Sequence, residues 1–349
     1  MRGLRTLGVI LVLLSAASSY GCLPELDVDE SRVTSPRVIA IRAIPAEVAP
    51  GERVRLEALY VGPEGRIADG LLEWARCDAR LPLAELGPVS PACFSFEDPA
   101  LVPAGFGASV EAEISREACR LFGPDPPPSQ PGEPAGRIVD PDVTGGYQQP
   151  VRLIEPDDAA IVLGDVRLAC GVAGATQLQA AELRQRRHRN RAPEISTVFA
   201  QRADGTDVLV AEGVPLSVSR GESVTLEAGW LPCPDEDVCG DGLCGPDETL
   251  TACAMDCRTP VGCTGAERYA RFEPSSRTIV VEREAMRVAW HATRGRFATE
   301  RSGRGAEDRA PYAVSRWVAP EEPGPVTVWM VLRDARGGVG WAERAITVE

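Results

Sequence analysis

The side chains with the most chemical potential in this chain are six cysteines within one short stretch. They lie in the run CPDEDVCGDGLCGPDETLTACAMDCRTPVGC (233–263), at Cys233, Cys239, Cys244, Cys253, Cys257 and Cys263. A segment this short with so few apolar residues cannot build a core of its own, so crosslinks must hold it. Its C-x4-C and C-x3-C spacings differ from the paired C-x2-C of zinc sites. We therefore expect disulfides rather than zinc, with a connectivity that the sequence leaves open.

Four further cysteines lie in the first half of the chain and are predicted to pair with one another. The chain has 11 cysteines, and setting Cys22 aside leaves an even number, as expected of an exported protein. Cys77 and Cys93 flank a short loop and predict one pair. Cys119 and Cys170 predict the second, which would tie the base of a long proline-rich connection to a later strand.

The cysteine-rich stretch is also dense in carboxylates. Disulfides that support an acidic surface favour recognition of a partner, so we expect the stretch to project from its domain as an interaction surface. The predicted partner-binding residues are Asp235, Asp237, Asp241, Asp247 and Glu248. Calcium is an alternative occupant, but an EF-hand loop starting at Asp235 would need Glu where Pro246 stands. We predict no bound metal or cofactor.

The remaining polar residues do not form a catalytic set. All 37 basic side chains are arginine, so the chain has no lysine to form a Schiff base or to bind a nucleotide phosphate. Its two histidines, His188 and His291, have no neighbouring nucleophile or carboxylate motif. A formal charge of −14 disfavours nucleic acid as a partner. The sequence therefore predicts a protein that is not an enzyme.

An internal repeat indicates which elements must position these residues. Residues 48–60 read VAPGERVRLEALY, and 170 positions later residues 218–230 read VSRGESVTLEAGW. In each copy a glycine permits a turn. Apolar and polar residues then alternate, the period-two pattern of a half-buried strand. The repeat predicts two copies of one β-domain.

Short strands separated by turn signals predict an all-β fold with two immunoglobulin-like β-sandwich domains, the second carrying a disulfide-rich insert. The predicted domains are 37–191 and 192–349, and the insert is 231–265. Strands are predicted at 38–42, 53–60, 71–76, 109–114, 161–170, 177–187, 195–202, 223–230, 278–283, 286–291, 326–333 and 339–348. No segment combines helical periodicity with caps, so no helix is predicted.

Two further features have ordinary structural interpretations. Trp290, Trp317, Trp329 and Trp341 are predicted to pack in the core of the second domain, with a carbohydrate-binding platform as the alternative. Five arginines fall within 184–191. We interpret them as a solvated strand end and linker, with a patch for an acidic polymer as the alternative.

The N-terminus predicts export and lipid anchoring. Two arginines precede an apolar run that is too short to span a bilayer. The sequence Ser-Tyr-Gly-Cys (19–22) resembles the lipobox of bacterial lipoproteins, in which the cysteine is acylated and becomes the new N-terminus. We therefore predict a signal peptide at 1–21, lipid attachment at Cys22 and an acidic tether at 22–36. Leu23 rather than Asp follows the cysteine, which favours the outer membrane.

A wider resemblance supports this location. The run CGDGLCGPDETLTACAMDC (239–257) resembles the small CGDGxC-type cysteine-rich repeats of secreted and surface proteins in myxobacteria and their relatives. Segments 36–52, 140–152 and 317–341 look like parts of uncharacterised myxobacterial envelope lipoproteins. The resemblance implies an envelope lipoprotein with immunoglobulin-like sandwiches and supplies no activity.

The sequence thus predicts a non-catalytic, lipid-anchored protein of the cell envelope. Its predicted role is adhesion, scaffolding or partner binding. The membrane, through the N-terminal lipid, and an envelope protein or glycan are its expected partners. The alternative is a glycan- or calcium-dependent binding module on the cell surface.

Overall fold

Strands dominate the structure, and its helices are few and short. The computed structural model describes residues 29–80, 89–124, 143–156 and 159–349. Residues 31–349 form one compact unit. The predicted signal peptide and the lipid site at Cys22 lie outside the described residues.

In the described ranges, the first sandwich has nine strands in two sheets. They are β1 (Arg37–Ile44), β2 (Glu47–Val48), β3 (Arg53–Gly62), β4 (Gly65–Arg66), β5 (Glu73–Cys77), β6 (Leu101–Phe106), β7 (Ser109–Glu113), β8 (Gly146–Ile154) and β9 (Ile161–Ala169). One sheet has the order β1-β3-β4, with β7 also paired to β3, and the other has the order β2-β9-β8-β5-β6. A 3-10 turn (Pro91–Phe94) and helix α1 (Ala118–Phe122) lie in its connections.

The core of the first sandwich lies between these two sheets. On β3 the residues Val54, Leu56 and Tyr60 face inward and are buried, as the alternating pattern predicts. Trp74 on β5 is fully buried beside them. Its indole NH donates to the carbonyl of Gly107 at 2.7 Å, so the ring packs without leaving its polar atom unpaired.

The second half of the chain contains twelve strands. They are β10 (Ile195–Gln201), β11 (Asp207–Leu209), β12 (Leu216–Val218), β13 (Ser223–Trp230), β14 (Arg268–Glu273), β15 (Thr278–Arg283), β16 (Met286–Ala292), β17 (Arg296–Phe297), β18 (Arg301–Arg304), β19 (Tyr312–Val318), β20 (Gly324–Arg333) and β21 (Val339–Val348). The two sheets of the second sandwich have the orders β11-β10-β13-β19-β17 and β12-β21-β20-β16-β18. A separate core fills the space between them.

The internal repeat corresponds to the same structure in both sandwiches. Gly51 and Gly221 adopt positive φ angles of 82° and 66°, which glycine tolerates best. Glu52 and Glu222 each accept a hydrogen bond from the amide three residues earlier, at 2.8 and 2.7 Å. A short strand before each turn pairs in parallel with the last strand of its sandwich, β2 with β9 and β12 with β21. The fold is therefore all-β, with two immunoglobulin-like sandwiches built on one plan.

The strand predicted at 177–187 is wrong, because this segment is helix α2 (Gln177–Arg186). Its residues Gln, Leu, Ala, Glu and Arg are strong helix formers. Thr176 caps the helix by accepting from the Gln179 amide, and the Gln179 side chain accepts from the Thr176 amide. This is a capping box, and the T-x-x-Q spacing is its sequence signature.

The strand predicted at 278–283 exists, but it does not belong to the sandwich. β14 and β15 pair only with each other, as a hairpin in a two-stranded sheet. The insertion between β13 and β16 therefore spans 231–285, and is longer than the predicted insert. Its cysteine-rich part contains the short helix α3 (Ala254–Cys257). Phe272 of the hairpin packs against Leu183 of α2 in a small core of their own.

The two sandwiches share an apolar contact on their outer faces. Leu59 and Val61, which point away from the first core, are fully buried with Trp329 and Val331 of β20. Val33 joins this cluster, and its amide donates to the carbonyl of Ala292 at 2.9 Å. The predicted tether over 22–36 is therefore wrong at its C-terminal end, where the chain is already part of the fold.

Trp290 and Trp317 pack in the core of the second sandwich as predicted, whereas Trp329 and Trp341 lie in the contact between the two sandwiches. The four rings do not form an open binding platform. Trp290, Trp317 and Trp329 are fully buried. Trp341 is partly buried, with the guanidinium carbon of Arg42 lying 3.9 Å from its ring centroid. This cation–π contact joins the two sandwiches, so the ring that keeps some exposure is already covered.

Candidate functional site

The disulfides hold each half of the chain separately. Cys77 pairs with Cys93 and Cys119 pairs with Cys170, the two pairs expected in the first sandwich. In the insert the pairs are Cys233–Cys263, Cys239–Cys253 and Cys244–Cys257. The first of these closes the base of the insert, and the other two crosslink its interior.

Most of the predicted partner-binding carboxylates are bound to arginines of the same chain. Asp235 pairs with Arg283 at 2.5 Å and with Arg309 at 2.7 Å. Asp237 pairs with Arg268 at 2.8 Å. The acidic side chains at the start of the insert therefore attach it to the hairpin and to the second sandwich.

The other three carboxylates differ in exposure and partners. Asp247 binds Arg186 of α2 at 2.5 Å and Arg268 of the hairpin at 2.9 Å. Asp241 is exposed and accepts a hydrogen bond from the Leu243 amide. Glu248 is buried, and one of its oxygens accepts from the Gly245 amide at 2.9 Å. Among the five predicted binding residues, only Asp241 presents an exposed carboxylate without an arginine partner in the described chain.

The arginine-rich segment 184–191 contacts the insert through part of its side chains. Arg186 donates to the carbonyl of Pro246 at 2.9 Å, and Arg191 donates to the carbonyl of Gly262 at 3.0 Å. The His188 ring lies 3.0 Å from the carbonyl of Gly245. The predicted strand end is wrong, because the segment begins as the end of helix α2. Arg184, Arg189 and Arg191 are exposed as expected of a solvated linker, whereas Arg186 and Arg187 are partly buried. The insert does not project freely, because it is bonded along the segment that joins the two sandwiches.

A buried ionic cluster lies where this segment, the insertion and both sandwiches meet. We call it the junction, and its members are Glu47, Arg167, Arg187, Asn190, Glu267, Glu284, Asp334 and Arg336. Arg336, in the turn between β20 and β21, is its centre. It donates to Glu284 at 2.6 Å and to Glu267, and its guanidinium stacks 5.0 Å from the Tyr269 ring centroid.

Asp334 and Asn190 connect this centre to the first sandwich. Asp334 accepts from the amides of Arg336 and Gly338, each at 2.8 Å. The Asn190 side chain donates to both Asp334 oxygens, at 3.2 and 3.1 Å. The backbone amide of Asn190 donates to the Glu47 carboxylate on β2 at 2.9 Å. This one linker residue therefore bridges carboxylates from both sandwiches.

Glu47 is fully buried and receives two arginines. Arg167 of β9 donates to one of its oxygens at 3.3 Å, and Arg187 donates to the other. Arg167 also donates to the carbonyl of Arg336 at 3.3 Å. The first and second sandwiches are therefore linked by buried charge as well as by apolar contact.

The charges of the junction do not balance, and the pKa values respond. Burial raises the pKa of Glu284 to about 8, with the like charges of Asp334 and Glu267 adding to the shift and Arg336 opposing it. Burial acts to lower the pKa of Arg336, but the three surrounding carboxylates outweigh it and raise that pKa. Burial lowers the pKa of Arg187 to about 10, with Arg336 and Arg189 contributing.

The geometry of the junction fits a structural role. The cavity beside it has a volume of about 10 Å³, which is the space of at most one water molecule. The Arg336 guanidinium is engaged by carboxylates, and its carboxylate partners are engaged in turn by arginines or backbone amides. What the arrangement can do is hold the linker, the insertion and the two sandwiches in one relative position.

Sequence reasoning singled out Arg187 as part of the run 184–191, but it identified none of the partners that meet in the junction. Glu47 and Arg187 are separated by 140 residues, and Arg167 and Arg336 by 169. Each lies in an ordinary local context of strand end or turn. A single sequence carries no signal that such distant charges meet.

Comparison with known proteins assigns no family. No protein-family model matches the chain, and no curated protein does. Among solved structures, dimeric latent PorU from Porphyromonas gingivalis aligns over 91% of this chain and 24% of its own, with 11% identity and a TM-score of 0.21. Domains 4 and 5 of the S-layer protein SbsC align over 89% and 98%, with 8% identity and a TM-score of 0.18. The chain thus spans about a quarter of PorU, and at these TM-scores the likeness assigns neither family nor function.

In the part of the chain that the structure describes, no helix is long and apolar enough to cross a membrane.

Proposed function

We propose that this chain is a non-catalytic, lipid-anchored protein of the cell envelope that acts as a rigid scaffold or binding arm. The observation that carries the proposal is the junction. Its buried carboxylates and arginines come from both sandwiches, from the linker and from the insertion. Each sandwich alone would leave charges of this cluster without partners.

Buried charges are costly when they are separated from their partners. Removal of one member of a buried ion pair costs about 3–5 kcal/mol, because the other charge stays desolvated. Separating the sandwiches would also expose Leu59, Val61 and Trp329 to water. Both terms favour a fixed relative position of the two sandwiches. A protein that must hold a surface at a set distance from a membrane needs such stiffness.

The proposed anchor is a diacylglyceryl-modified Cys22 in the outer membrane, with the chain reaching the fold by Val33. Two or more acyl chains give stable membrane attachment, whereas a single one does not. The fold then begins about ten residues after the lipid. This short spacing would keep the sandwiches close to the membrane surface. Adhesion, scaffolding or partner binding is the proposed role.

The glycan-binding alternative loses its motivating residues. The tryptophans that suggested a carbohydrate platform are in the core or covered by Arg42. The calcium alternative has a separate basis in the insert and does not depend on the tryptophans.

The anchoring part of the proposal is tested by Cys22→Ala with Leu23→Asp as a matched variant. Cys22→Ala should move the protein from the membrane fraction to the soluble exported fraction and abolish labelling by palmitate. Leu23→Asp should keep the label and change the membrane in which the protein is found. Persistent membrane attachment of Cys22→Ala, with no label in the unaltered protein, would contradict the proposal.

A further inference from the structure

The interior of the cysteine-rich insert contains carboxylates that no arginine of the described chain neutralises. A cavity of about 30 Å³ lies there, enough for about one water molecule or ion. Its charged lining consists of five carboxylates and one arginine: Glu236, Asp237, Asp241, Glu248, Glu267 and Arg268. Asp237 is neutralised by Arg268, whereas Glu248 has no ion-pair partner in the described chain.

Glu248 is the residue that points to a ligand. Its side chain is deeply buried, with 6% of the residue exposed. One carboxylate oxygen accepts from the Gly245 amide, but Oε1 is inaccessible to solvent and has no hydrogen-bond donor among the described residues. Burying an ionised oxygen without a partner is strongly unfavourable. A native fold retains such an atom when something else binds it.

A second buried carboxylate lies beside it. Asp256 of α3 is 7% exposed, and one of its oxygens lies within 4.8 Å of an oxygen of Glu248. Asp256 accepts from the amides of Gly240 and Gly242, at 2.5 and 3.3 Å, and has no arginine partner in the described chain. Two carboxylates at this separation repel each other unless a proton or a cation lies between them.

We propose that the insert binds one hard divalent cation, of the Ca²⁺ class, between Glu248 and Asp256. The sulfurs near these oxygens belong to the disulfides Cys239–Cys253 and Cys244–Cys257, so they cannot serve as thiolate ligands. The available ligands are therefore oxygens, which suit Ca²⁺ or Mg²⁺ rather than Zn²⁺. Ca²⁺ tolerates an irregular oxygen set better than Mg²⁺. Asp241 lines the adjacent cavity on the other side of Glu248.

The proposed cation site lies next to the loop by which the insert contacts the linker between the sandwiches. Glu248 closes this loop. Gly245 and Pro246 accept from His188 and Arg186, and Glu248 holds the Gly245 amide. A bound cation would fix this loop from inside the insert. It would therefore stabilise the attachment of the insert to the junction. This inference stands whether or not the chain is lipid-anchored.

The test is isothermal titration calorimetry of the disulfide-intact exported chain, freed of metal by a chelator, with CaCl₂, MgCl₂ and ZnCl₂ in turn. We expect one Ca²⁺ site with a dissociation constant on the order of 10⁻⁴–10⁻³ M, the range of extracellular modules. Glu248→Gln and Asp256→Asn should each weaken Ca²⁺ binding at least about tenfold, because each removes a charged ligand. Asp235→Asn, an exposed acid of the same insert, is the matched control and should bind as the unaltered protein does.

The outcomes separate cleanly. Absence of Ca²⁺ binding overturns the proposal and leaves a shared proton as the solution for the two carboxylates. Binding that survives both substitutions places the cation elsewhere and also overturns it. Circular dichroism checks that the variants fold. If Asp256→Asn fails to fold, Glu248→Gln decides alone, since a glutamine oxygen still accepts from the Gly245 amide.

Discussion

The two sandwiches share one strand plan and differ in where they carry their long connection. In the first, the connection from β7 to β8 is long and contains α1, whereas the matching one in the second, from β19 to β20, is short. In the second, the connection from β13 to β16 spans 231–285, whereas its counterpart from β3 to β5 is short. Because β7 runs antiparallel to β3, these two loops leave opposite ends of a sandwich. A shared core therefore tolerates a long insertion at either end, since closure entropy grows only slowly with loop length.

The two insertions nevertheless meet. The amide of Phe272, in the hairpin of the second sandwich, donates to the carbonyl of Val143, in the long connection of the first, at 2.6 Å. The residues that distinguish the copies thus converge on the junction. The comparison teaches that the repeated strands build each sandwich, while the unrepeated parts fix one sandwich against the other.

The sharpest test of this division is Arg336→Met, which removes the central cation of the junction. Glu284, Glu267 and Asp334 would remain buried without it, and we expect the free energy of unfolding to fall by about 3–5 kcal/mol. Chemical denaturation measures the loss. Trypsin should then cut faster at the arginines of 184–191, because the linker would be held less firmly to the junction.

Arg309→Met is the control for that experiment. Arg309 is 72% exposed and also pairs with a carboxylate, so its loss should change stability by less than about 1 kcal/mol. Equal effects of the two substitutions would mean that the junction contributes no more than an ordinary surface pair.

Removing one disulfide from each of the two long connections tests how differently they contribute to stability. Replacing both Cys119 and Cys170 by Ala opens a closure of 51 residues that ties α1 to the last strand of the first sandwich. We expect a loss of about 4 kcal/mol in the stability of that sandwich. Replacing Cys239 and Cys253 opens a closure of 14 residues inside the insert.

The second pair of substitutions should cost about 3 kcal/mol locally and leave both sandwich cores folded. Hydrogen exchange resolved by peptide distinguishes the two results. Loss of protection should spread through β8 and β9 in the first case and stay within 233–263 in the second. If the insert variant lost protection from hydrogen exchange throughout the protein, the insert would be needed for the sandwiches to fold. That result would contradict the division between strands that form each sandwich and segments that hold the two together.

The junction also predicts that the stability of the fold depends on pH. The pKa of Glu284 rises from an ordinary value of 4.5 to about 8 on folding, so the folded state holds a proton that the unfolded state releases. Its contribution is complete below about pH 4.5 and is lost as the pH rises through 8. Stability should therefore decline over this window, and the decline should be shallower in Glu284→Gln. Thermal melts between pH 5 and 9 test this, and parallel curves for the two proteins would contradict it.

Much of each sandwich could be predicted because its signals are local. The alternation of apolar and polar residues on β3 and β20 predicted which side chains face the core. The internal repeat predicted that the two sandwiches share one arrangement of strands. The burial of the outward residues Leu59 and Trp329 between the sandwiches was not predicted, although unbroken apolar runs are typical of strands buried on both sides. The helix α2 was missed although its capping box is readable.

The attachment of the insert could not be predicted from one sequence. The sequence pattern of an acidic run with six cysteines is the same whether its carboxylates face solvent or bind arginines of the same chain. Asp247 and Arg186 lie 61 residues apart, and nothing in either local sequence names the other. The sequence of a single chain does not show which distant charged residues pair in the folded protein.

The arrangement of the disulfides sets an order of events during synthesis. Among the described residues, two disulfides lie inside 77–170 and three inside 233–263, and none of these five crosslinks the two sandwiches. The first half can therefore oxidise and fold as it emerges, as domains made first generally do. Its outer face at Leu59 and its buried Glu47 must wait for β20 and the turn at Arg336, which are among the last residues made. Until then the nascent protein carries an exposed apolar face, and a chain truncated before residue 324 would be a substrate for quality control rather than a shorter working form.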